Sequence, residues 1–152
     1  MPRKYVLDTN CFIDASRSKV AATALADFSA RAAPFLYLSS VVAAELVAGT
    51  PNQHARKVLE DEVLAPYRRR DRVLAPSKAS WEILGRTLSQ LVWTQGLELR
   101  RMPRSFMLDI LLAHSCRDNG AVLISNNARD LRRIKRIFAF DWTPPFPNLL
   151  VE

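Results

Sequence analysis

Tyr5-Val6-Leu7-Asp8-Thr9-Asn10 is an apolar run that ends abruptly on a carboxylate, and it decides how the rest of the chain is interpreted. A short apolar segment of this kind is typical of a buried strand. Polar residues just past the carboxyl end of such a strand face the crevice in which open α/β sheets bind ligands. We therefore expect Asp8 to lie at the functional edge of a sheet.

Further apolar segments alternate with segments of helical periodicity along the chain. We predict additional strands at residues 35–38, 72–74 and 121–124. Helices are predicted at residues 10–17, 19–31, 41–48, 51–64, 77–95, 105–119 and 128–137. This alternation predicts an α/β fold in one domain over residues 1–152, a three-layer α/β/α sandwich with a mostly parallel central sheet.

Apolar stripes on the predicted helices indicate which faces pack on the core. The second helix carries such a stripe at Val20, Ala24 and Phe28, and the helix over residues 77–95 carries one at Trp81, Leu84, Leu88 and Leu91. The three tryptophans, Trp81, Trp93 and Trp142, could stack on bases, but we expect aromatic rings at helical spacing to be core residues. The two cysteines, Cys11 and Cys116, are expected to be buried free thiols.

Charge is the most distinctive property of the composition. The chain has 22 Lys and Arg against 15 Asp and Glu, a net charge of +7, and nine basic but only three acidic residues lie between positions 68 and 104. Such a surface attracts polyanions such as nucleic acid, although it could also be a solvated face without a partner. No apolar run approaches the roughly 20 residues that span a bilayer. Because Met1-Pro2-Arg3-Lys4 leads straight into a strand, we expect a cytoplasmic protein with no membrane association.

Three more acids, Glu45, Asp109 and Asp130, resemble Asp8 in lying at the edge of an apolar segment. All four could converge where strands end and helices begin. Two carboxylates about 4 Å apart repel by roughly 4 kcal/mol, more than the roughly 0.3–1 kcal/mol that a helix N-terminus contributes. A bound cation would offset this repulsion, and an oxygen-only cluster suits Mg²⁺ or Mn²⁺. Each acid alone could equally be a cap or surface residue, which is how we interpret Asp14.

The combination of a hard divalent ion with a basic surface indicates metal-assisted hydrolysis of a phosphodiester. The motifs that carry it are Val6-Leu7-Asp8-Thr9-Asn10, residues 39–46 (SSVVAAEL), Asp109 and residues 125–131 (SNNARDL). In order and spacing they resemble the motifs of PIN-domain ribonucleases, in particular the VapC toxins. The resemblance implies a Mg²⁺- or Mn²⁺-dependent endoribonuclease that cleaves single-stranded or structured RNA. It also implies a homodimeric toxin of a type II toxin-antitoxin system, held inactive by a cognate antitoxin protein.

The resemblance also implies roles for individual residues. Asp8, Glu45 and Asp109 match the catalytic metal ligands, and Asp130 matches a less constant fourth acid. Asn127 stands where many members of the family have another Asp, and a neutral amide ligates Mg²⁺ more weakly. The hydroxyls of Thr9 and Ser125 match positions that orient the acids or the bound water, although both could be simple strand-end caps.

Basic residues that follow the last motif are the first candidates for RNA phosphate contacts, and residues 68–72 are the second. They are Arg129, Arg132, Arg133, Lys135 and Arg136. Residues 21–35 and 47–64 are candidate contacts for an antitoxin helix.

Two other functional classes compete with the enzyme. One is a catalytically silent PIN scaffold that binds RNA or protein, against which the four acids count. The other is a receiver-like phosphoacceptor domain, which also has acids at strand ends. A receiver domain would need a Lys at the end of a late strand, and residues 125–127 (SNN) contain none.

Overall fold

The computed structural model describes residues 3–149, so Met1, Pro2 and residues 150–152 of the predicted domain lie outside the described residues. The strands are β1 (Lys4–Leu7), β2 (Leu36–Ser39), β3 (Val73–Leu74), β4 (Ala121–Ile124) and β5 (Trp142–Thr143). They form one parallel sheet in the order β3-β2-β1-β4-β5. The mostly parallel sheet expected from the alternation is therefore confirmed.

Helices connect the strands. They are α1 (Thr9–Arg17), α2 (Lys19–Ala32), α3 (Ser40–Ala48), α4 (Gln53–Val58), α5 (Ala65–Arg69), α6 (Lys78–Gln95), α7 (Arg104–Asp118) and α8 (Ala128–Lys135). A stretch of π-helical geometry, Leu59–Leu64, joins α4 to α5, and short 3-10 turns occupy Ala33–Phe35 and Leu99–Arg101. The predicted helix over residues 51–64 thus extends further than expected. Pro66 does not end it, because proline is tolerated in the first turn of α5.

The sheet separates two apolar clusters, which gives the predicted α/β/α layers. Tyr5 and Leu7 point to the face covered by α1 and α2, where Phe28 is fully buried. Val6 points to the opposite face and joins the larger cluster formed with α3, α6, α7 and α8. Alternate side chains of β1 therefore pack into different cores, as expected for a strand buried on both faces.

Strand pairing brings the candidate residues to one edge. β1 is central and pairs with β2 and β4, with Leu7 opposite Ile124. The residues just past β1, β2 and β4 therefore lie side by side, and α1, α3 and α8 begin there. The site described below occupies this carboxyl edge of the sheet.

Several expected core positions are wrong. Val20 is 81% exposed and Ala24 is also exposed, because the buried face of α2 is formed by Phe28 and Ala32 instead. An i, i+4, i+8 repeat drifts around a helix of 3.6 residues per turn, so Val20 points well away from Phe28. Trp81 is 57% exposed and Trp93 is 79% exposed, whereas Leu84 and Leu91 of the same helix are buried in the core as predicted. Trp142 is partly buried and packs against the same core.

Two smaller predictions also have clear outcomes. Cys11 and Cys116 are buried free thiols, as expected. Asp109 lies in the second turn of α7 rather than the first, because the helix begins at Arg104.

Strand β5 was not predicted, since its two residues lie between Asp141 and a proline-rich segment. Among residues 3–149, no helix is both long enough and apolar enough to cross a membrane.

Candidate active site

Asp8 is the buried centre of the candidate site. Its backbone N–H donates to the Ile124 carbonyl at 2.9 Å, which ties the end of β1 to the end of β4. One carboxylate oxygen caps α1 by accepting the Thr9 N–H at 2.7 Å, and the other accepts the Ser125 hydroxyl at 2.6 Å and the Asn10 amide at 3.2 Å. Burial raises the pKa of Asp8 although all three hydrogen bonds favour its ionised form.

Glu45 approaches Asp8 from α3. Ser39 caps this helix by accepting the Val41 N–H at 3.2 Å, and the carboxylate of Glu45 accepts the Thr9 hydroxyl at 3.0 Å. Burial raises the pKa of Glu45, and the negative charge of Asp8 adds to this effect. Thr9 therefore links the two acids, because its backbone N–H donates to Asp8 and its hydroxyl donates to Glu45.

Asp109 carries the strongest electrostatic perturbation among the acids of the site. It is 6% exposed, and burial together with the charges of Asp8, Glu45 and Asp130 raises its pKa to about 8. A hydrogen bond from Asn127 opposes this rise only partly. At neutral pH the protein therefore cannot hold all of these carboxylates ionised without a compensating positive charge.

Asn127 links the carboxylates of Asp109 and Asp130. Its amide nitrogen lies 2.9 Å from a carboxylate oxygen of Asp109 and 3.2 Å from one of Asp130, so a single NH₂ group donates to both. Its backbone N–H donates to the Ser125 hydroxyl oxygen at 3.0 Å. The hydroxyl of Ser125 in turn donates to Asp8. These hydrogen bonds connect the end of β1, the start of α8 and helix α7.

A cavity of about 370 Å³ lies among these side chains. Asp8, Glu45 and Asp109 line it, whereas Asp130 does not and reaches it only through Asn127. The sequence interpretation missed Asp14, which lines the cavity and accepts the Asn126 amide at 2.7 Å. The complete lining is Asp8, Thr9, Asn10, Ile13, Asp14, Glu45, Ser105, Asp109, Asn126 and Asn127.

Spacing along α1 could have identified Asp14. It stands four positions after Asn10, so both residues lie on the same face of the helix. Asn10 contacts Asp8 and Ser125, and this face therefore points into the site.

The cavity offers oxygen donors of the kind that bind a hard divalent ion. Within residues 3–149, no three His, Cys, Asp or Glu side chains stand in an arrangement that could already hold a metal. None of the ion pairs in this part of the chain involves Asp8, Glu45 or Asp109, although the positive charge of Arg104 is close enough to favour the ionised form of Glu45. Mg²⁺ is commonly held by one or two carboxylates, with water and substrate phosphates completing its shell. The chemistry of the cavity fits such an ion, whereas a complete ligand cage is absent from the described residues.

The predicted phosphate-binding residues lie outside this cavity. Arg129 and Arg132 are exposed on α8. Arg133 is occupied within the protein, because it donates to Gln95 at 2.7 Å and lies 5.1 Å from the centre of the Phe106 ring.

The fold and this edge define an α/β sandwich protein with an acidic, cation-attracting site. The PIN domain family model matches residues 5–137, and the chain belongs to the PIN domain family, a family generally of nucleases. A comparison with curated proteins found no match.

Several solved structures share the fold. DNA-bound VapBC from Salmonella typhimurium is 19% identical with a TM-score of 0.67, over 94% of this chain and 98% of that one. VapBC-1 from nontypeable Haemophilus influenzae is 22% identical with a TM-score of 0.63, over 92% and 96% of the two chains. FitAcB from Neisseria gonorrhoeae is 18% identical with a TM-score of 0.63, over 91% and 95%. The similarity extends across nearly the whole chain.

Proposed function

We propose that this protein is a Mg²⁺- or Mn²⁺-dependent endoribonuclease that hydrolyses phosphodiester bonds in single-stranded or structured RNA. The observation that carries the proposal is the buried carboxylate cluster on one cavity, in which burial and the charges of neighbouring acids raise the pKa of Asp109 to about 8. Membership of the PIN family and the net charge of +7 support a polyanionic substrate.

The proposed metal ligands are Asp8, Glu45 and Asp109, with Asp130 as a fourth acid held beside them by Asn127. A divalent ion bound at these oxygens would lower the pKa of a water molecule and neutralise charge on the phosphate. Thr9 and Ser125 fix the acids through hydrogen bonds to Glu45 and Asp8. Because these donors already hold the carboxylates in place, little side-chain rearrangement is needed when charge develops in the transition state.

We further propose that the protein is the toxin of a type II toxin-antitoxin pair, acts in the cytoplasm and forms a homodimer. The similarity to VapBC and FitAB structures supports this assignment. Residues 21–35 and 47–64, the candidate antitoxin contacts, meet in a groove of about 470 Å³. Its walls include Leu25, Ala26 and Val63, which suit the apolar face of a partner helix.

A catalytically silent scaffold that binds RNA or protein remains the alternative. The absence of a ready-made three-ligand metal arrangement within residues 3–149 favours it. The perturbed carboxylates favour the enzyme, because a scaffold gains nothing from burying mutually repelling acids.

The decisive experiment compares Asp8→Asn with Glu82→Gln, an exposed acid on α6 outside the cavity. RNA 5′ ends are sequenced after a brief pulse of expression, and cleavage by the purified proteins is measured with Mg²⁺ and with EDTA. We expect Asp8→Asn to lose at least about a hundredfold in rate and Glu82→Gln to retain the wild-type rate. Unchanged cleavage in Asp8→Asn would exclude the proposed mechanism. RNA binding without any cleavage by the wild type would support the scaffold.

A further inference from the structure

The end of helix α6 exposes an aromatic ring that the core does not use. Trp93 is 79% exposed, and Leu99, in the segment that follows, is also exposed. The same helix buries Leu91 completely, so Trp93 lies on its solvent side. The indole ring is therefore accessible to a ligand, and an exposed aromatic face is a surface on which an unpaired base can stack.

Contacts between helices locate Trp93 on the molecule. α6 and α7 run in opposite directions, since Ser80 near the start of α6 contacts His114 near the end of α7 at 2.9 Å. At the other end of α6, Gln95 accepts a hydrogen bond from Arg133, whose guanidinium lies over Phe106 at the start of α7.

The start of α7 also belongs to the acidic cavity. Ser105, the neighbour of Phe106, lines that cavity. Arg104 is close enough to Glu45 for its positive charge to favour the ionised carboxylate. Trp93 therefore lies at the same edge of the protein as the carboxylates, whereas Trp81 lies at the opposite end of α6.

Arginines both precede and follow Trp93 in the sequence. Arg86 lies seven positions before Trp93, two turns earlier on the same helical face, and Arg100 and Arg104 follow it. Glu98 is paired with Arg101 at 3.2 Å. Among the residues that the structure describes, Arg86, Arg100 and Arg104 form no ion pair. The charges of Arg86 and Arg100 are therefore available to a ligand, whereas that of Arg104 also acts on Glu45.

We propose that Trp93 is a stacking platform for an unpaired base of single-stranded RNA, with Arg100 and Arg104 contacting the phosphates that lead to the acidic cavity. This inference rests on the proposed ribonuclease function and specifies how the substrate is held. An aromatic face beside a positively charged path is the arrangement that binds single strands with little sequence preference. A base must leave its helical stack to use such a platform, so duplex RNA should not engage it.

The surroundings of Trp93 favour RNA over a protein partner. Exposed charged side chains follow it in the sequence at Glu98, Arg100, Arg101 and Arg104. Arginine side chains of this kind supply the phosphate contacts of nucleic-acid-binding surfaces. The charge of this segment is positive on balance, which complements a phosphate backbone.

The chain offers a matched control for the test, because Trp81 is another exposed tryptophan on the same helix. Fluorescence anisotropy with a labelled single-stranded oligouridylate in EDTA measures binding without cleavage. We expect Trp93→Ala to weaken binding at least about fivefold, Trp93→Phe to retain most of it, and Trp81→Ala to match the wild type. For a labelled RNA duplex, all variants should equal the wild type.

Two further measurements keep this test conclusive. RNA should quench the intrinsic fluorescence of Trp81→Phe, which retains Trp93, more than that of Trp93→Phe, and this comparison applies even if Trp93→Ala folds poorly. Equal effects of the Trp93 and Trp81 substitutions, or none, would overturn the proposal. So would a Trp93→Ala variant that binds RNA normally but sediments as a smaller species, since Trp93 would then belong to a contact between copies of the chain.

The outcomes also separate this inference from the proposed function. Wild-type protein that cleaves RNA while Trp93→Ala binds normally would overturn the stacking platform alone. Protein that binds single strands through Trp93 yet never cleaves them would support the platform and overturn the nuclease.

Discussion

Helix α7 buries two titratable residues to the same extent, five positions apart, in opposite surroundings. Asp109 and His114 are each 6% exposed. Asp109 faces three other carboxylates, which together with burial raise its pKa to about 8. His114 contacts the hydroxyl of Ser80 at 2.9 Å and the edge of the Phe138 ring. Asp109 is thus buried among carboxylates that repel its ionised form, whereas His114 is buried beside a neutral hydrogen-bond partner.

The difference shows that burial alone does not identify a functional group. Burial lowers the pKa of His114 and so favours its neutral form, for which Ser80 is a sufficient partner. Asp109 has a hydrogen bond from Asn127, but the surrounding negative charge outweighs it. A buried group whose partners repel its charged form is the one that requires something from outside the protein.

The largest effect is expected in the pH dependence of the free energy of unfolding, when wild type and Asp109→Asn are compared without metal. Because folding raises the pKa of Asp109 from 3.8 to about 8, its contribution to stability should be lost as pH rises through that window. At about 1.4 kcal/mol per pKa unit, the loss should amount to several kcal/mol. Asp109→Asn should therefore gain stability over the wild type as pH rises from about 4 to 8, in urea unfolding with EDTA present.

Glu82→Gln is the control for this experiment, because Glu82 is exposed. It should follow the wild type at every pH. Mg²⁺ at pH 8 should raise the midpoint of thermal unfolding of the wild type more than that of Asp109→Asn. Parallel pH profiles for wild type and Asp109→Asn would show that the two ends of α7 do not differ as described.

An intermediate effect is expected from Ser80→Ala. Ser80 is fully buried, and its removal leaves Nδ1 of His114 without this partner, which should cost about 1–3 kcal/mol in the free energy of unfolding. Ser89→Ala on the same helix is the control, since that hydroxyl contacts only its own helix at the Arg86 carbonyl, and it should cost less than about 0.5 kcal/mol. Equal costs would contradict the assigned partnership.

His114 should also respond to pH in the direction opposite to Asp109. Its pKa is lowered from 6.5, so the unfolded chain takes up this proton first and the contribution of His114 to stability is lost as pH falls through that value.

The smallest effect should come from Asp118→Asn. Asp118 accepts the Ser77 hydroxyl at 2.6 Å in an exposed position, and an asparagine oxygen can accept the same bond, so the cost should stay below about 1 kcal/mol. The negative charge of Asp118 raises the pKa of His114, and its removal should therefore lower that pKa further. An NMR titration of the His114 ring measures this change, and an upward shift would contradict it.

Much of the candidate site could be predicted from sequence because parallel strands end at a common edge. That rule brings Asp8, Glu45 and Asp109 to one cavity although they are far apart in the chain. Asp14 was missed because it lies beyond the first turn of α1 and was interpreted as a surface or capping residue, although it shares a helical face with Asn10. The bridge made by Asn127 depends on side-chain positions that spacing does not determine.

The helical faces were harder to predict. Apolar residues on α6 fit the core at Leu84 and Leu91, but Trp81 shares their periodicity and is exposed. Hydrophobicity and spacing describe which residues could be buried, whereas burial also depends on whether another element covers that face. Near Trp81 and Trp93 the core ends before the rings, and no local pattern in the sequence marks that limit.

The hydrogen bond from the Asp8 N–H to the Ile124 carbonyl joins the ends of two strands that are far apart in the sequence. Such long-range pairing closes late during folding, because the intervening chain must be available first. On the ribosome, a nascent chain that ends before Ala121 lacks both β4, which pairs with β1, and the Ser125 hydroxyl that holds Asp8. The carboxyl edge of the sheet, with the cavity that it carries, should therefore form only after β4 has been synthesised.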